Sequence, residues 1–280
     1  MITYAFQPAA AANVRGDVAP LLLRNPLNPE MAALRTLLLP GLLAALQLNS
    51  GYRSDSSFRL FERGRVFLPY DTECLPREEE HLGLAACGRR EDWRGGADSD
   101  FFALKAEVEA VLSALGAAAT FAPGTHPWLR AGQAAEVTVG TTVVGWLGVV
   151  APQLADTFHL RGTVVAAELN AGELAAAVRA KTTAISRQPA AERDLALIVA
   201  DRVSAAELRE AITGEAGARL ERLTLFDLYR GKPLAEGEKS VGFRLLFRAA
   251  DATLTDAEVS QLMARVLARL ADQFGARIRG

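Results

Sequence analysis

Asp227, Tyr229, Ser240 and Arg244 are the residues whose types and spacing could do chemistry in this chain, and they fall within one stretch, FDLYRGKPLAEGEKSVGFRLLFR, residues 226–248. Successive side chains of a strand point to opposite faces. Val241, Phe243, Leu245 and Phe247 form one alternating set. If that set faces a core, Ser240, Arg244 and Arg248 face away from it. In the preceding strand the same parity predicts Thr224, Phe226 and Leu228 on one face and Leu225, Asp227 and Tyr229 on the other. A sheet face carrying a phenol ring, a carboxylate, a hydroxyl and guanidinium groups has the parts needed to stack on an unpaired RNA base and hydrogen-bond its edge. On these residues alone, an ordinary solvated face with a single tyrosine is the competing reading, because scattered surface aromatics need no special explanation.

The elements around this stretch must position it. Between its two strands, Arg230–Glu238 contains Gly231, Pro233 and Gly237, which are loop formers. RDLALIV, residues 193–199, reads as a strand with Leu195, Leu197 and Val199 inward. Ser204 followed by Glu207 is a capping box, predicting a helix from about Ala205 to Ile212 that stops near Gly214. Thr255 and Glu258 form a second one, and Val259, Leu262, Met263, Val266, Leu267, Leu270 and Phe274 then recur at helical spacing. Ala276–Arg279 is short enough for an edge strand. The order strand, helix, strand, strand, helix, strand is the ferredoxin-like split βαβ arrangement, with both helices on one sheet face and the other open. Alternation puts Ala196, Asp227, Tyr229, Ser240, Arg244, Arg277 and Arg279 together on that open face.

RDLALIV, the 226–248 stretch and the TLTDAEV helix start resemble the ferredoxin-fold anticodon-binding domain that closes the β subunit of bacterial phenylalanyl-tRNA synthetases. The resemblance implies that the open face holds the anticodon, whose first base is a guanine. It further implies that Asp227, Tyr229 and Ser240 contact that base, with Ala196 beneath it and Arg277 or Arg279 nearby.

The first two thirds of the chain fit the same family. Met1–Phe6 reads as a strand. NPLNPE, residues 25–30, can cap a helix starting near Met31 with Leu34, Leu37 and Leu38 on one face. Pro40 suits the first turn of a second helix, to about Leu48. NPLNPEMAALRTLLLPGLLAALQLN resembles the motif 1 region of class II synthetases, a subunit interface. FRLFERGRVF, residues 58–67, resembles the strand pair at motif 2, where catalytic members place an ATP-binding arginine; Arg59 reads better, with Glu62, Arg63 and Arg65, as a solvated or paired strand residue. His81–Gly88 is a strand and Arg89–Asp100 a loop. FFALKAEVEAVLSAL, residues 101–115, is a helix with Phe102, Lys105, Val108, Val111, Leu112 and Leu115 along it. Glu136–Pro152 reads as a hairpin turning at Gly140–Thr141, in the place of motif 3. It contains no arginine, a departure that matches the β subunit, which resembles a class II core that has lost catalysis. Val164–Leu169 is a further strand, Ala171–Val178 a short helix, and KTTAISRQP, residues 181–189, a linker.

The predicted fold class is therefore α+β: a class II synthetase-like antiparallel sheet domain over 1–182, a linker over 183–188, and a ferredoxin-like βαββαβ domain over 189–280. The resemblance implies a non-catalytic subunit within an α2β2 assembly. The α subunit would use ATP and Mg²⁺ to charge tRNA(Phe), and this chain would bind neither. The family's longer N-terminal portion, which holds editing, has no counterpart in these residues, so no editing role is expected. Two alternatives stand beside this reading. One is a stand-alone assembly or RNA-binding module. The other is an acylphosphatase-like hydrolase using the Ala200–Ser204 loop and Arg202, although Asp201 there would repel phosphate.

Composition narrows the classes further. At 280 residues the chain has room for about two domains. Its net charge of −2 rules out a bulk basic footprint, so RNA contact must rest on local placement. Cys74 and Cys87 give no disulfide framework and suit a reducing, cytoplasmic setting. Their spacing with His81 matches no zinc pattern. The apolar run Leu34–Leu48 is interrupted by Arg35 and Pro40 and is too short to span a membrane. No nucleophile–base triad has support beyond residue types being present.

Overall fold

The computed structural model describes residues 1–52, 57–70, 75–90, 97–178, 188–249 and 253–279. The chain separates into two compact units, Met1–Thr182 and Thr183–Gly280. The expected linker residues 183–187 and Cys74 lie outside the described residues.

The first unit runs β1 (Phe6–Gln7), α1 (Ala9–Ala12), β2 (Ala33–Leu34), α2 (Leu39–Tyr52), β3 (Phe58–Leu68), β4 (Arg77–Cys87), β5 (Arg89–Arg90), β6 (Ala97–Asp98), α3 (Phe101–Ala114), β7 (Ala119–Pro123), β8 (Leu129–Val139), β9 (Thr142–Val150), α4 (Pro152–Thr157), β10 (Val164–Asn170) and α5 (Ala171–Ala177). Six strands form one antiparallel sheet in the order β3-β4-β10-β9-β8-β7. One face packs on α2 and the residue before it, through Leu38, Leu42, Leu43 and Leu46, against Val66, Ala85 and Trp146. The other packs on α3 and α5 through Leu104, Val108, Leu112 and Leu174.

Several expectations need correction. Met1–Phe6 is not a strand; only Phe6 and Gln7 pair, with Leu34 and Ala33. The helix expected from Met31 does not form. Pro29–Met31 makes one 3-10 turn, and the next residues are extended because distant backbone groups claim them. Leu34 N–H donates to Leu21 C=O at 2.9 Å and Arg35 N–H to Ala5 C=O at 2.9 Å. A single helix, α2, follows, with Pro40 in its first turn. The Arg89–Asp100 loop carries the short ladder of β5 with β6. In α3 the buried stripe is Leu104, Val108 and Leu112, whereas Phe102 is 74% exposed and so lies off the core face.

Two buried polar clusters fasten this unit. The Arg35 guanidinium donates to Glu62 at 2.8 Å, to Arg65 C=O at 2.7 Å and to Thr3 Oγ1 at 2.9 Å. The Glu168 carboxylate accepts from the N–H groups of Leu38 and Leu39 at 3.0–3.3 Å, where an anion meets the positive end of α2. The same carboxylate bonds His81 Nδ1 at 2.7 Å, and Glu79 lies 3.1 Å from Nε2.

The second unit runs β11 (Ala191–Ala200), α6 (Ala205–Ala216), β12 (Leu220–Tyr229), β13 (Glu238–Phe247), α7 (Asp256–Phe274) and β14 (Arg277–Ile278). Its four strands pair antiparallel in the order β12-β13-β11-β14. Both capping boxes are present, at Ser204/Glu207 and Thr255/Glu258. Gly214 does not stop α6. Its cost of about 1 kcal/mol is outweighed by burial of Ile212 and Ala216, and the chain leaves the helix at Gly217, where φ is +61°. Leu208, Ile212, Val259, Leu262, Val266 and Leu270 cover one sheet face and bury Val241, Phe243, Leu245 and Phe247. Each of those four contributes about 1.5–3 kcal/mol by leaving water. Among the described residues no helix is long and apolar enough to cross a membrane.

The polar clusters give two predictions. Arg35→Met strands the buried Glu62 carboxylate and should cost about 3–5 kcal/mol in urea unfolding, most of it recovered by adding Glu62→Leu; an equally unstable double variant would show that packing, not charge, holds the site. At His81, burial pushes the imidazole pKa down, but the bonds and charge of Glu168 and then Glu79 outweigh it, so the folded pKa lies above the usual 6.5. The folded state then binds the proton more tightly, and this stabilisation is full below about pH 6.5. It fades as pH rises through the folded value. The stability difference between the native chain and His81→Gln should therefore shrink with rising pH, and a difference that grows would contradict a charged His81.

Candidate nucleic-acid interface

The open face of the second unit is built row by row from strand register. In one row Tyr229 stands opposite Ser240, Ser240 opposite Ile198, and Ile198 opposite Arg277. In the next, Asp227 faces Gly242 and Gly242 faces Ala196. In the third, Thr224 faces Arg244 and Arg244 faces Asp194. Arg279 follows β14, its N–H donating to Ala196 C=O at 2.9 Å. The register thus brings the seven expected residues onto one face.

Parity in β12 is different from the expectation. The register shifts between Leu225 and Asp227, a bulge that gives Phe226 no partner of its own. Leu225 pairs with core-facing Phe243 and Leu228 with core-facing Val241, while Thr224 joins Asp227 and Tyr229 on the open side. The Phe226 ring lies across Gly242. A Cβ at Gly242 would stand 3.0 and 3.1 Å from two Phe226 ring atoms and 2.9 Å from Asp227 Cβ. Phe226 is therefore a residue of this face, placed on the other by simple alternation. A sequence signal existed, since an isolated glycine inside a strand marks a bulge or a close approach.

Each aromatic ring carries a guanidinium. Arg279 Cζ lies 5.1 Å from the Tyr229 ring centroid, and Arg244 Cζ lies 5.5 Å from that of Phe226, both within cation–π range. Arg279 Nη1 is also 3.5 Å from Ser240 Oγ, and Ser240 is only 1% exposed. That hydroxyl becomes reachable only when Arg279 moves. Arg244 grips Asp194 with two bonds of 2.8 and 2.9 Å, and Glu192 sits at 3.2 Å. The bonds from Arg244 hold the Asp194 carboxyl below its usual range and raise the guanidinium further above its own. Arg277 is paired with Glu238. The Tyr229 hydroxyl donates to Lys232 C=O, fixing the ring against the β12–β13 loop. Asp227 is exposed.

The first unit has a cleft of about 320 Å³ over the β8–β9 hairpin and His81. Five carboxylates line it, those of Asp17, Glu79, Glu136, Glu168 and Glu173, against one arginine, Arg15. Arg15 is already paired with Asp17 at 3.0 Å. A triphosphate would meet net negative charge there. Arg59 is ion-paired with Glu107. In the Ala200–Ser204 loop, Asp201 is held by Arg230 at 2.9 Å.

Comparison with known proteins supplies the family. Residues 1–171 match the phenylalanyl tRNA synthetase beta chain CLM domain, and residues 186–279 match the ferredoxin-fold anticodon binding domain. The phenylalanine–tRNA ligase beta subunit of Pseudomonas fluorescens is 39% identical over 284 residues, covering 99% of this chain and 36% of the relative. That of Methylococcus capsulatus is 36% identical, covering 100% of this chain and 36% of the relative. That of Geobacter sulfurreducens is 39% identical over 264 residues, covering 92% and 33%. The chain thus spans about a third of the length of these curated relatives. With both units matched in order and along nearly all of their length, the chain belongs to the phenylalanyl-tRNA synthetase β-chain family.

Proposed function

We propose that this chain is the non-catalytic, tRNA-reading portion of a phenylalanine–tRNA ligase β subunit. The observation that carries the proposal is the sheet face itself, where an aromatic ring, an exposed carboxylate and three arginines meet within adjoining rows of one register. Tyr229 stacks on the first anticodon base, worth about 1–3 kcal/mol on aromatic platforms of this kind. Asp227 accepts from the amino and imino groups of a guanine. Ala196 leaves room beneath the base, and Ser240 adds a hydrogen bond once Arg279 has moved aside. Arg244, Arg277 and Arg279 exchange their present partners for phosphates.

The first unit acts in this reading as a scaffold for the α subunit of an α2β2 enzyme in the cytoplasm. Activation of phenylalanine with ATP and Mg²⁺ belongs to that partner. The carboxylate-rich cleft supports this division, because it offers a triphosphate no unpaired arginine among the described residues. The engaged Asp201 likewise gives no support to a phosphate-cleaving loop after β11.

The test is binding of the chain to tRNA(Phe) at fixed moderate salt, beside the same tRNA with the first anticodon base changed from guanine. A preference for guanine is expected, and Asp227→Asn should relax that preference more than it lowers affinity. Equal, salt-sensitive binding of every anticodon would mean phosphate contact alone and would contradict the reading.

A further inference from the structure

Phe226 has no role in the reading above, and its placement asks for one. It is 51% exposed and belongs to none of the buried core of its unit. Phe226 and Asp227 are consecutive residues that share the open side at the bulge, whereas Leu225 and Leu228 on either side of them pair with the core-facing Phe243 and Val241. The Phe226 ring lies over Gly242, where the absence of a side chain lets it approach the sheet. Its neighbour on the face, Tyr229, stands opposite Ser240.

We propose that Phe226 forms a second base-stacking place, so that the face takes two consecutive unpaired nucleotides of one RNA strand. This rests on the anticodon reading of Tyr229 and adds a neighbouring base to it. Spacing is the first argument. Gly242 and Ser240 lie two residues apart on one face of β13, about 6.7 Å at the usual strand rise. That is roughly twice the ~3.4 Å rise of a stacked strand. Two adjacent bases can therefore unstack from one another and each lie on its own ring.

The second argument is what now covers the rings. Arg244 lies over Phe226 and Arg279 over Tyr229, 5.5 and 5.1 Å from ring centroid to Cζ, so each ring now has a guanidinium beside it. Guanidinium planes and bases use aromatic faces in the same way. Both arginines sit on flexible stems, so an arriving base can slip between ring and guanidinium or push the guanidinium outward to a phosphate. The two places differ in one respect. Arg244 is tethered to Asp194 by two bonds, whereas among the described residues Arg279 meets the Tyr229 ring and, at 3.5 Å, the Ser240 hydroxyl, with no carboxylate. The Tyr229 place therefore opens at lower cost, and the Phe226 place opens fully when Arg244 exchanges Asp194 for a phosphate.

The experiment uses the whole 280-residue chain and RNA hairpins carrying the tRNA(Phe) anticodon loop. One hairpin is intact, one is abasic at the first anticodon position, and two are abasic at the nucleotide immediately 5′ or 3′ of it. Phe226→Leu keeps an apolar cover on Gly242 and removes the flat ring; Phe226→Trp keeps the ring. Matching urea midpoints establish that both variants are folded. Phe226→Leu should weaken binding of the intact hairpin by about fivefold or more, and Phe226→Trp should not. The loss should vanish on one of the two flanking abasic hairpins, as the loss in Tyr229→Leu should vanish on the first-position abasic hairpin. An unchanged affinity in Phe226→Leu, or the same loss on every hairpin, overturns the second place while Tyr229 dependence still stands. Absence of both dependences, or of any binding by the native chain, overturns the reading of the face as well.

Discussion

The approach of β12 to β13 at Gly242 is the constraint on which the open face depends. Any side chain there would collide with the Phe226 ring and with Asp227 Cβ. With only hydrogen at that point, β12 can bulge. An earlier register shift, between Leu220 and Arg222, puts Thr224 on the side away from the helices, and the bulge at Phe226 resets the parity so that Asp227 and Tyr229 join it. Without it, alternation from the Leu225–Phe243 pair would put Asp227 opposite core-facing Val241 and separate it from Thr224. One glycine in the middle of a strand thus trades a little strand stability for the composition of an entire surface.

That surface is held closed on itself. Its arginines are spent on Asp194, on Glu238 and on the two aromatic rings. Under the proposed anticodon reading, this pairing would let a chain of net charge −2 carry a nucleic-acid face without a broad basic patch. Exposed ion pairs contribute little, roughly 0–1 kcal/mol each, so exchanging one for a phosphate costs little. The carboxylates left behind then repel phosphate placed out of register. In the anticodon reading proposed above, selectivity would come from which arginine can leave its partner and in which direction, not from bulk attraction. In the first unit polar groups serve assembly of the fold. Glu168 ties the start of α2 to β10 and to His81 on β4, and Arg35 ties the chain before α2 to β3.

Local signals in the sequence translated directly into structure. Both capping boxes, the alternation of β13, the turn at Gly140–Thr141 and Pro40 in the first turn of α2 all depend on residues within a few positions of each other. The misplaced elements depend on partners far away along the chain. Leu34, Leu37 and Leu38 have helical spacing, yet Leu21 and Ala5 take the backbone groups a helix would have used. Phe226 was assigned to the wrong face because parity counts assume no inserted residue, and the insertion is defined only against β13. The covering of Ser240 by Arg279 follows from a four-strand register that no single stretch reveals. That the seven expected residues share one face was legible from alternation, while the places of Thr224 and Phe226 and the pairing of the arginines were not.

The most direct measurement of the central claim is where an anticodon base touches the chain. A tRNA(Phe) carrying 6-thioguanosine at the first anticodon position, irradiated in complex with the chain and analysed by mass spectrometry of the linked peptides, reports that contact. The account predicts attachment within β12, β13 or the Arg277–Arg279 end, centred on Tyr229 and its neighbours. Attachment confined to the outer surface of α6 and α7, or to the first unit, would contradict it.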